Sequence, residues 1–310
     1  MNAPQTAQRD EIHSIGYRPL GPLHRTGRPA LAIARTALTL AWRRRATKLA
    51  LLPPLGAFVV CATILVGLLV VRRTLDSTGS AGVGQLAAQI VGEAGDVLSG
   101  FVQFAFFSTA FLLSIVGGGL LADDLKASAL DLYFSRPLTR AQYLVGKGLA
   151  ALAVPTVTLL VPSGLLWLLA VGIADDTLQG GLAALILPTL TPALLATLAL
   201  TGLMLGVSAL SERGATATVT FIAGLLVVEG LGNGLAFSGV EAAGYLAPVL
   251  DVRTVAHALN DVGFGIVSQA LEGSSRTTNE SAWLSALALV GMGVGGLAVA
   301  FARIAREVRG

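Results

Sequence analysis

Residues 51–71 read LLPPLGAFVVCATILVGLLVV, a run of 21 residues without a charged side chain, and Arg72 and Arg73 follow it directly. A helix that crosses the hydrocarbon core of a bilayer needs about 20 consecutive, mostly apolar residues. This stretch therefore predicts a transmembrane helix that ends at a pair of arginines.

The rest of the chain repeats this character. Of 310 residues, 54% are hydrophobic and 13% are charged, whereas soluble domains carry roughly 25% charged residues. This composition excludes a soluble enzyme and a disordered protein. Pro188 and Pro192 are expected to kink one long run or to end a short helix before it. The sequence predicts an all-α polytopic membrane protein with six spans at residues 51–71, 97–121, 148–173, 182–210, 214–237 and 282–302.

The basic residues predict the orientation of these spans. With six spans and both termini in the cytoplasm, 17 of the 21 Lys and Arg residues lie on the cytoplasmic side. The outer segments then hold 4 basic and 10 acidic residues. Short cytoplasmic loops are enriched in Lys and Arg, so this layout agrees with the charge distribution, and five or seven spans do not.

The same layout divides the chain into segments. Four prolines in the polar N-terminal stretch indicate a flexible tail. The basic helix that follows could lie along the membrane surface, or it could be only a basic flank that anchors the first span. The predicted segments are a flexible cytoplasmic tail (1–30), an amphipathic basic interfacial helix (31–50) with Arg35, Trp42, Arg43, Arg44 and Arg45, and a six-span domain (51–310) with a cytoplasmic loop (122–147) and an outer amphipathic segment (238–281).

The loop 122–147 reads ADDLKASALDLYFSRPLTRAQYLVGK. Apolar residues recur at helical spacing up to residue 132, so a short amphipathic helix follows the second span. Pro137 ends it, because proline disfavours a helical conformation in the preceding residue. Thr139 and Gln142 have the spacing of a capping box, with Leu138 and Tyr143 as the matching hydrophobic pair. A new helix is therefore predicted to begin at Arg140.

This segment resembles the cytoplasmic loop of the permease subunits of type-2 ABC exporters. The matching residues are Asp124, Lys126, Leu130-Asp131, Pro137-Leu138-Thr139-Arg140 and Lys147, while Ser128-Ala129 stands where Gly-Thr is common. The stretch VSALSERGATATVT at residues 207–220 is similar to the short serine-rich turn before the fifth span of that family.

The resemblance implies a mechanical role. In such exporters the loop is a coupling helix that docks on a separate ATPase subunit, and the permease is expected to pair with a second copy in the plasma membrane of a bacterium. The alternative is that these charges are ordinary solvated loop residues and topological anchors. The residues that the resemblance assigns to ATPase coupling are Asp123, Asp124, Lys126, Asp131, Arg136, Pro137 and Arg140.

The chain is not expected to hydrolyse ATP itself. Its three lysines lie outside any Gly-x-x-x-x-Gly-Lys-Ser/Thr pattern, which is the loop that holds phosphates in ATPases. ATP and Mg²⁺ would therefore bind to the partner subunit, with no cofactor on this chain. Membrane lipids are the other expected partner, and nucleic acid is not expected, because the basic residues flank apolar spans.

Only one charged residue, Glu229, falls inside the predicted spans. Glu229 and Asn233 could line a translocation path, because a charge inside the bilayer normally faces a cavity or a partner. They could also lie hydrated near the outer interface. An intramembrane enzyme or an ion-coupled carrier remains the alternative function, although no catalytic constellation is evident. Asp251, Arg253, His257 and Asp261 are too scattered to predict a metal site.

Overall fold

A computed structural model describes residues 29–77, 83–127, 138–174, 176–237 and 279–307. Within these ranges the chain forms helices joined by short turns, without a β-strand. The helices are α1 (Pro29–Arg43), α2 (Arg45–Ala50), α3 (Leu52–Ser77), α4 (Val83–Gly117), α5 (Gly119–Lys126), α6 (Arg140–Pro155), α7 (Val161–Ile173), α8 (Asp176–Ala184), α9 (Ile186–Leu210), α10 (Gly214–Phe237) and α11 (Asn279–Glu307).

Five helical segments of the described chain are long and apolar enough to cross a membrane. They confirm the all-α class, and they coincide with five of the six expected spans. Helix α10 coincides with the remaining one and has 24 residues, but its described apolar part, Gly214–Val228, is shorter than a crossing. The five segments are Arg45–Thr74, Gln89–Lys126, Arg140–Ile173, Leu178–Leu210 and Ala286–Arg306.

Helices α4 and α9 form the centre of the bundle. The most apolar windows of their spans are each 67% buried, whereas those of the other three spans are 17%, 28% and 22% buried. The outer helices therefore keep large apolar side chains exposed, among them Val59 and Val294. In a membrane protein such a surface faces lipid, which is as apolar as the side chains themselves.

Helix α4 begins earlier than the sequence indicates. The expected span started at residue 97, but the helix already begins at Val83. The extension buries Ile90, Val91 and Ala94, which continue the stripe of Leu98. The stretch also contains glycines and two acidic residues, a composition typical of a loop. Its apolar residues nevertheless recur every 3.6 residues, as in a helix with one buried face.

Prolines shape the next two spans. Helix α6 leads through a π-helical turn, Thr156–Leu160, into α7, and Pro155 lies directly before that turn. Because proline lacks an N–H, it cannot donate the backbone hydrogen bond that an α-helix would have at this point. Before α9, the short helix α8 ends ahead of Leu185, which confirms the expected short helix. Pro188 then occupies the first turn of α9, where backbone N–H groups lack helical partners anyway.

The closest contact between spans joins α9 to α11, and it consists of glycines. A Cβ atom on Gly202 would collide with the backbone of Gly293, and one on Gly296 would collide with that of Gly202. A Cβ on Gly206 would lie 2.8 Å from the Cα of Gly296. Small residues let helix backbones touch and gain dispersion energy in lipid, so this glycine contact holds the last span against the centre.

Helix α1 packs on the protein rather than standing apart from it. Its residue Ala34 is buried, and a Cβ on Gly146 of α6 would lie 2.9 Å from the carbonyl oxygen of Ala30. The structure divides the single basic helix of the prediction at Arg44, where α1 ends and α2 begins.

Several predicted features lie outside the described residues. These are the tail up to residue 28, most of the outer segment 238–281 with Asp251, Arg253, His257 and Asp261, and three coupling residues, Asp131, Arg136 and Pro137. Glu229 and Asn233 lie on α10, but their side chains are not described.

Candidate functional site

The ends of α4, α5, α6, α9 and α10 meet around the turn that precedes the loop 122–147. We call this cluster the α4–α5 junction and define it by hydrogen bonds that connect different helices. Sequence analysis singled out the residues of α5 and α6 that take part. It missed the side chains that α9 and α10 contribute. The junction comprises Ser114, Gly118, Asp123, Asp124, Tyr143, Lys147, Ser208, Gly214 and Thr218.

Ser208 of α9 is inserted into the backbone of the turn. Its hydroxyl donates to the carbonyl of Gly118 at 2.9 Å and accepts from the N–H groups of Leu121 at 3.1 Å and Ala122 at 3.2 Å. The Gly118 carbonyl and the Ala122 N–H are four residues apart and would bond each other in a regular helix. The Ser208 hydroxyl lies between these two groups and bonds both of them. A side chain inserted into the hydrogen bonds of a helix is a known cause of helix breaks, and here it also joins α5 to α9.

Replacing Ser208 by alanine should lower the free energy of unfolding by about 1–3 kcal/mol, the usual cost of leaving buried backbone groups without partners. The hydroxyl is fully buried, so water is not positioned to replace it. The measurement is the unfolding transition of the purified protein in detergent.

Ser211→Ala is the matched control for this prediction. Among the described residues, the Ser211 hydroxyl bonds only the carbonyl of Val207, one turn earlier in the chain, at 2.8 Å, so its loss should change the unfolding free energy by much less. Equal effects of the two substitutions would show that the inserted hydroxyl does not stabilise the turn.

Asp123 connects the junction to α10. Its Oδ1 accepts from the backbone N–H of Gly214 at 3.1 Å, and Gly214 is the first residue of that helix. A carboxylate at a helix N-terminus satisfies an unpaired donor and interacts favourably with the helix dipole. Thr218 of the same helix donates to the carbonyl of Ser114 at 2.8 Å. Helix α10 is thus bound to both α4 and α5.

Glycines allow this contact to form. A Cβ atom on Gly118 would lie 2.7 Å from the carbonyl oxygen of Gly214. A Cβ on Gly214 would lie 2.9 Å from the Cα of Gly119. Both distances are shorter than van der Waals contact, so a side chain at either position would push the two helices apart.

Asp124 and Lys147 form an ion pair at the base of the loop. Lys147 Nζ lies 2.7 Å from Asp124 Oδ2, and the Tyr143 hydroxyl donates to the same oxygen at 2.6 Å. The ammonium also lies 5.7 Å from the centre of the Tyr143 ring, within cation–π range. Asp124 and Lys147, the first and the last residues that match the ABC permease loop, are therefore in contact.

Asp124 is less accessible than a residue that contacts a partner protein usually is. Its side chain is only 19% exposed, and that of Lys147 is 9% exposed. The resemblance assigns Asp124 to ATPase coupling. In the structure its carboxylate packs against α6, where the buried Lys147 ammonium neutralises it.

The capping box at the start of α6 is confirmed. The Thr139 hydroxyl accepts from the Gln142 N–H at 3.2 Å, and the Gln142 side chain accepts from the Thr139 N–H at 3.1 Å. Helix α6 accordingly begins at Arg140. One turn later, Tyr143 is fully buried and belongs to the same hydrophobic cluster as Leu138. The loop is therefore followed directly by a well-capped helix N-terminus.

Other predicted coupling residues surround the junction on its open side. Lys126 is exposed at the end of α5, and Arg140 is half-buried at the start of α6. Lys126 also borders a polar groove of about 310 Å³ that Glu212, Arg213 and Arg303 complete. These charged groups leave a polar surface beside the loop, available to another molecule.

The predicted residues of the basic helix lie on α1 and α2. Arg35, Trp42, Arg43, Arg44 and Arg45 are all exposed, as an interfacial helix requires. Across the described ranges, His, Cys, Asp and Glu nowhere form a group of three that could hold a metal ion.

These features define the class as a helical membrane protein with at least five apolar helices of spanning length. No protein-family model matches the chain. No curated protein matches it in sequence either.

Proposed function

We propose that the chain is the membrane subunit of an ATP-driven exporter that resembles the type-2 ABC family. In this proposal it has six spans, with both termini in the cytoplasm of a bacterial cell. A separate subunit hydrolyses Mg·ATP, and the loop 122–147 passes the resulting movement to the spans. A second copy of the chain completes the transport path.

The observation that carries the proposal is the ion pair between Asp124 and Lys147. It joins the beginning and the end of the loop whose sequence resembles the coupling segment. A segment that transmits force needs a stiff base, because a flexible base would absorb the movement. The ion pair, the Tyr143 hydrogen bond and the capping box provide that stiffness.

The junction also gives the force a route into the bundle. Ser208 connects α5 to α9, and Asp123 connects it to α10. Helix α9 in turn holds the last span through the glycine contact. A displacement of the loop therefore moves α5 and acts through it on α9, α10 and α11. This is expected of a subunit whose spans move together.

Association with an ATPase tests the proposal. We expect the chain purified from its own membranes to bring with it a subunit that binds ATP and hydrolyses it in the presence of Mg²⁺. Reversing the charge of the predicted coupling residue Arg136, or of the exposed Lys126, should reduce that association at least several-fold, because close charge pairs at interfaces favour binding.

Arg45→Glu is the control, since Arg45 is also exposed but lies on α2, which is not part of the loop. It should leave the complex intact. A purified complex without a nucleotide-binding subunit would contradict the proposal. So would R136E and K126E complexes that assemble and hydrolyse ATP as the unaltered complex does.

A further inference from the structure

A second feature of the molecule is an apolar cavity on the flank of the bundle, separate from the α4–α5 junction. It has a volume of about 510 Å³, within the range of roughly 300–1,000 Å³ typical of small-molecule sites. Helices α1 and α2 cover one side, and α4, α6 and the π-helical turn form the other. The apolar lining includes Leu38, Leu51, Leu112, Val116, Val154 and Val157.

The mouth of the cavity is basic. Arg43 is the only charged residue among the described residues that line it, and Arg44 and Arg45 follow directly in the sequence. Within the described part of the chain, the Arg43 guanidinium has no carboxylate partner. An exposed arginine above an apolar cavity suits a molecule with an anionic head and a hydrocarbon tail, since arginine binds phosphate through paired hydrogen bonds.

One buried hydroxyl in the cavity lacks a hydrogen-bond partner. Thr47 lines the cavity and is 5% exposed, and its Oγ1 makes no hydrogen bond within the described residues. Leaving such a group unsatisfied costs roughly 1–3 kcal/mol. By contrast, the Thr158 hydroxyl in the opposite wall bonds the hydroxyl of Thr109 at 2.8 Å. Because this oxygen has almost no accessible surface, a ligand can satisfy it only after the Thr47 side chain rotates toward the cavity, four residues from Arg43.

We propose that this cavity binds a single anionic phospholipid. An acyl chain occupies the apolar part, and the phosphate lies at Arg43. The Thr47 side chain rotates toward the cavity, and its hydroxyl donates to an oxygen of the head group. Each methylene group removed from water contributes about 0.8 kcal/mol, but the surrounding bilayer offers the same gain. Selectivity for this lipid therefore comes from Arg43 and Thr47 rather than from the hydrocarbon.

Lipid retention tests the proposal. The full-length chain is reconstituted in vesicles of equimolar phosphatidylglycerol and phosphatidylcholine with identical acyl chains. It is then extracted in mild detergent, and native mass spectrometry counts the bound lipids by head group. We expect phosphatidylglycerol to be retained in excess, at one molecule per chain.

Three variants define the site. Arg43→Gln should lower phosphatidylglycerol retention about five-fold, which corresponds to the roughly 1 kcal/mol that a basic residue contributes near an anionic lipid. Ala153→Phe should abolish retention by filling the cavity. Thr47→Val should weaken retention while leaving the lipid-free protein as stable or more stable, because it removes an unsatisfied hydroxyl.

Arg45→Gln is the matched control, because Arg45 carries the same charge on the next helix but does not line the cavity. It should retain lipid as the unaltered chain does. Equal losses in R43Q and R45Q would show a general attraction to anionic membranes and overturn the proposal. Equal retention of both head groups, or undiminished retention in a folded A153F variant, would overturn it too.

A second copy of the chain is the other occupant that the test can reveal. If Ala153→Phe changes the oligomeric state but not the lipid count, the cavity is a subunit contact and the lipid proposal is wrong. The assay contains neither ATP nor an ATPase, so its failure and that of the proposed transport function are separate outcomes.

Discussion

Gly296→Ala is expected to lower the free energy of unfolding by about 3 kcal/mol, at the upper end of the usual cost of overpacking. The added Cβ would collide with the backbone of Gly202 in the facing helix. A backbone cannot rotate away as a side chain can, so α9 and α11 must separate along their whole contact. The loss should appear as a lower unfolding temperature in detergent and as a larger fraction of chain that aggregates during purification.

Gly295→Ala is the matched control, one residue away in the same helix. A Cβ on Gly295 would have no atom within 4 Å among the described residues. Alanine is favoured over glycine in a helix by up to about 1 kcal/mol, so this variant should be neutral or more stable. If both substitutions destabilise the protein equally, loss of glycine flexibility rather than a clash would explain the effect, and the contact would not hold the last span.

The glycines also show where sequence reasoning reaches its limit. The cluster of glycines after residue 290 indicates a helix that can pack closely. Only the structure shows that Gly293 and Gly296 face α9, whereas Gly291 and Gly295 face open space. Composition reveals that close packing is possible. The rotation of one helix against another depends on every contact between them.

Local signals in the sequence are more precise. The capping box of Thr139 and Gln142 involves groups three residues apart, so its geometry follows from the chain itself, and it forms as expected. The apolar runs likewise place the spans, because a minimum length of hydrocarbon must be crossed. The early start of α4 was missed, since its polar residues 93 and 96 obscured the helical period of its apolar ones.

Contacts between distant segments could not be predicted. Ser208 is one of several hydroxyl residues in an apolar span, and no pattern distinguishes it from the others until α5 is placed beside it. Asp124 was selected from the sequence, but its contacts with Lys147 and Tyr143 were not predicted. A helical wheel distinguishes polar from apolar faces, and it does not show which polar face a neighbouring helix covers.

Lys147→Met should be the most damaging single change at the base of the loop, lowering the free energy of unfolding by about 3 kcal/mol. This is the lower end of the cost of breaking a buried ion pair, chosen because Asp124 is 19% exposed. Methionine keeps the length and apolar contacts of the lysine. The carboxylate of Asp124 would remain, partly buried, with the Tyr143 hydroxyl as its one partner among the described residues.

The double variant Lys147→Met with Asp124→Asn separates charge from shape. Asparagine keeps a carbonyl oxygen that can accept from the Tyr143 hydroxyl, while no uncompensated charge remains. Because replacing both partners of a buried pair often costs little, we expect the double variant to recover most of the stability lost in Lys147→Met. Unfolding transitions of the two single variants and the double variant give the coupling energy as a double-mutant cycle.

The same cycle distinguishes a structural pair from a working one. If the pair only holds the fold, the double variant should regain the activity of the proposed complex together with its stability. If the charges must stay paired while the loop moves, the double variant should be stable but inactive, and it should still bind the proposed ATPase subunit. A coupling energy near zero would contradict both possibilities, because it would mean that Asp124 and Lys147 do not stabilise each other.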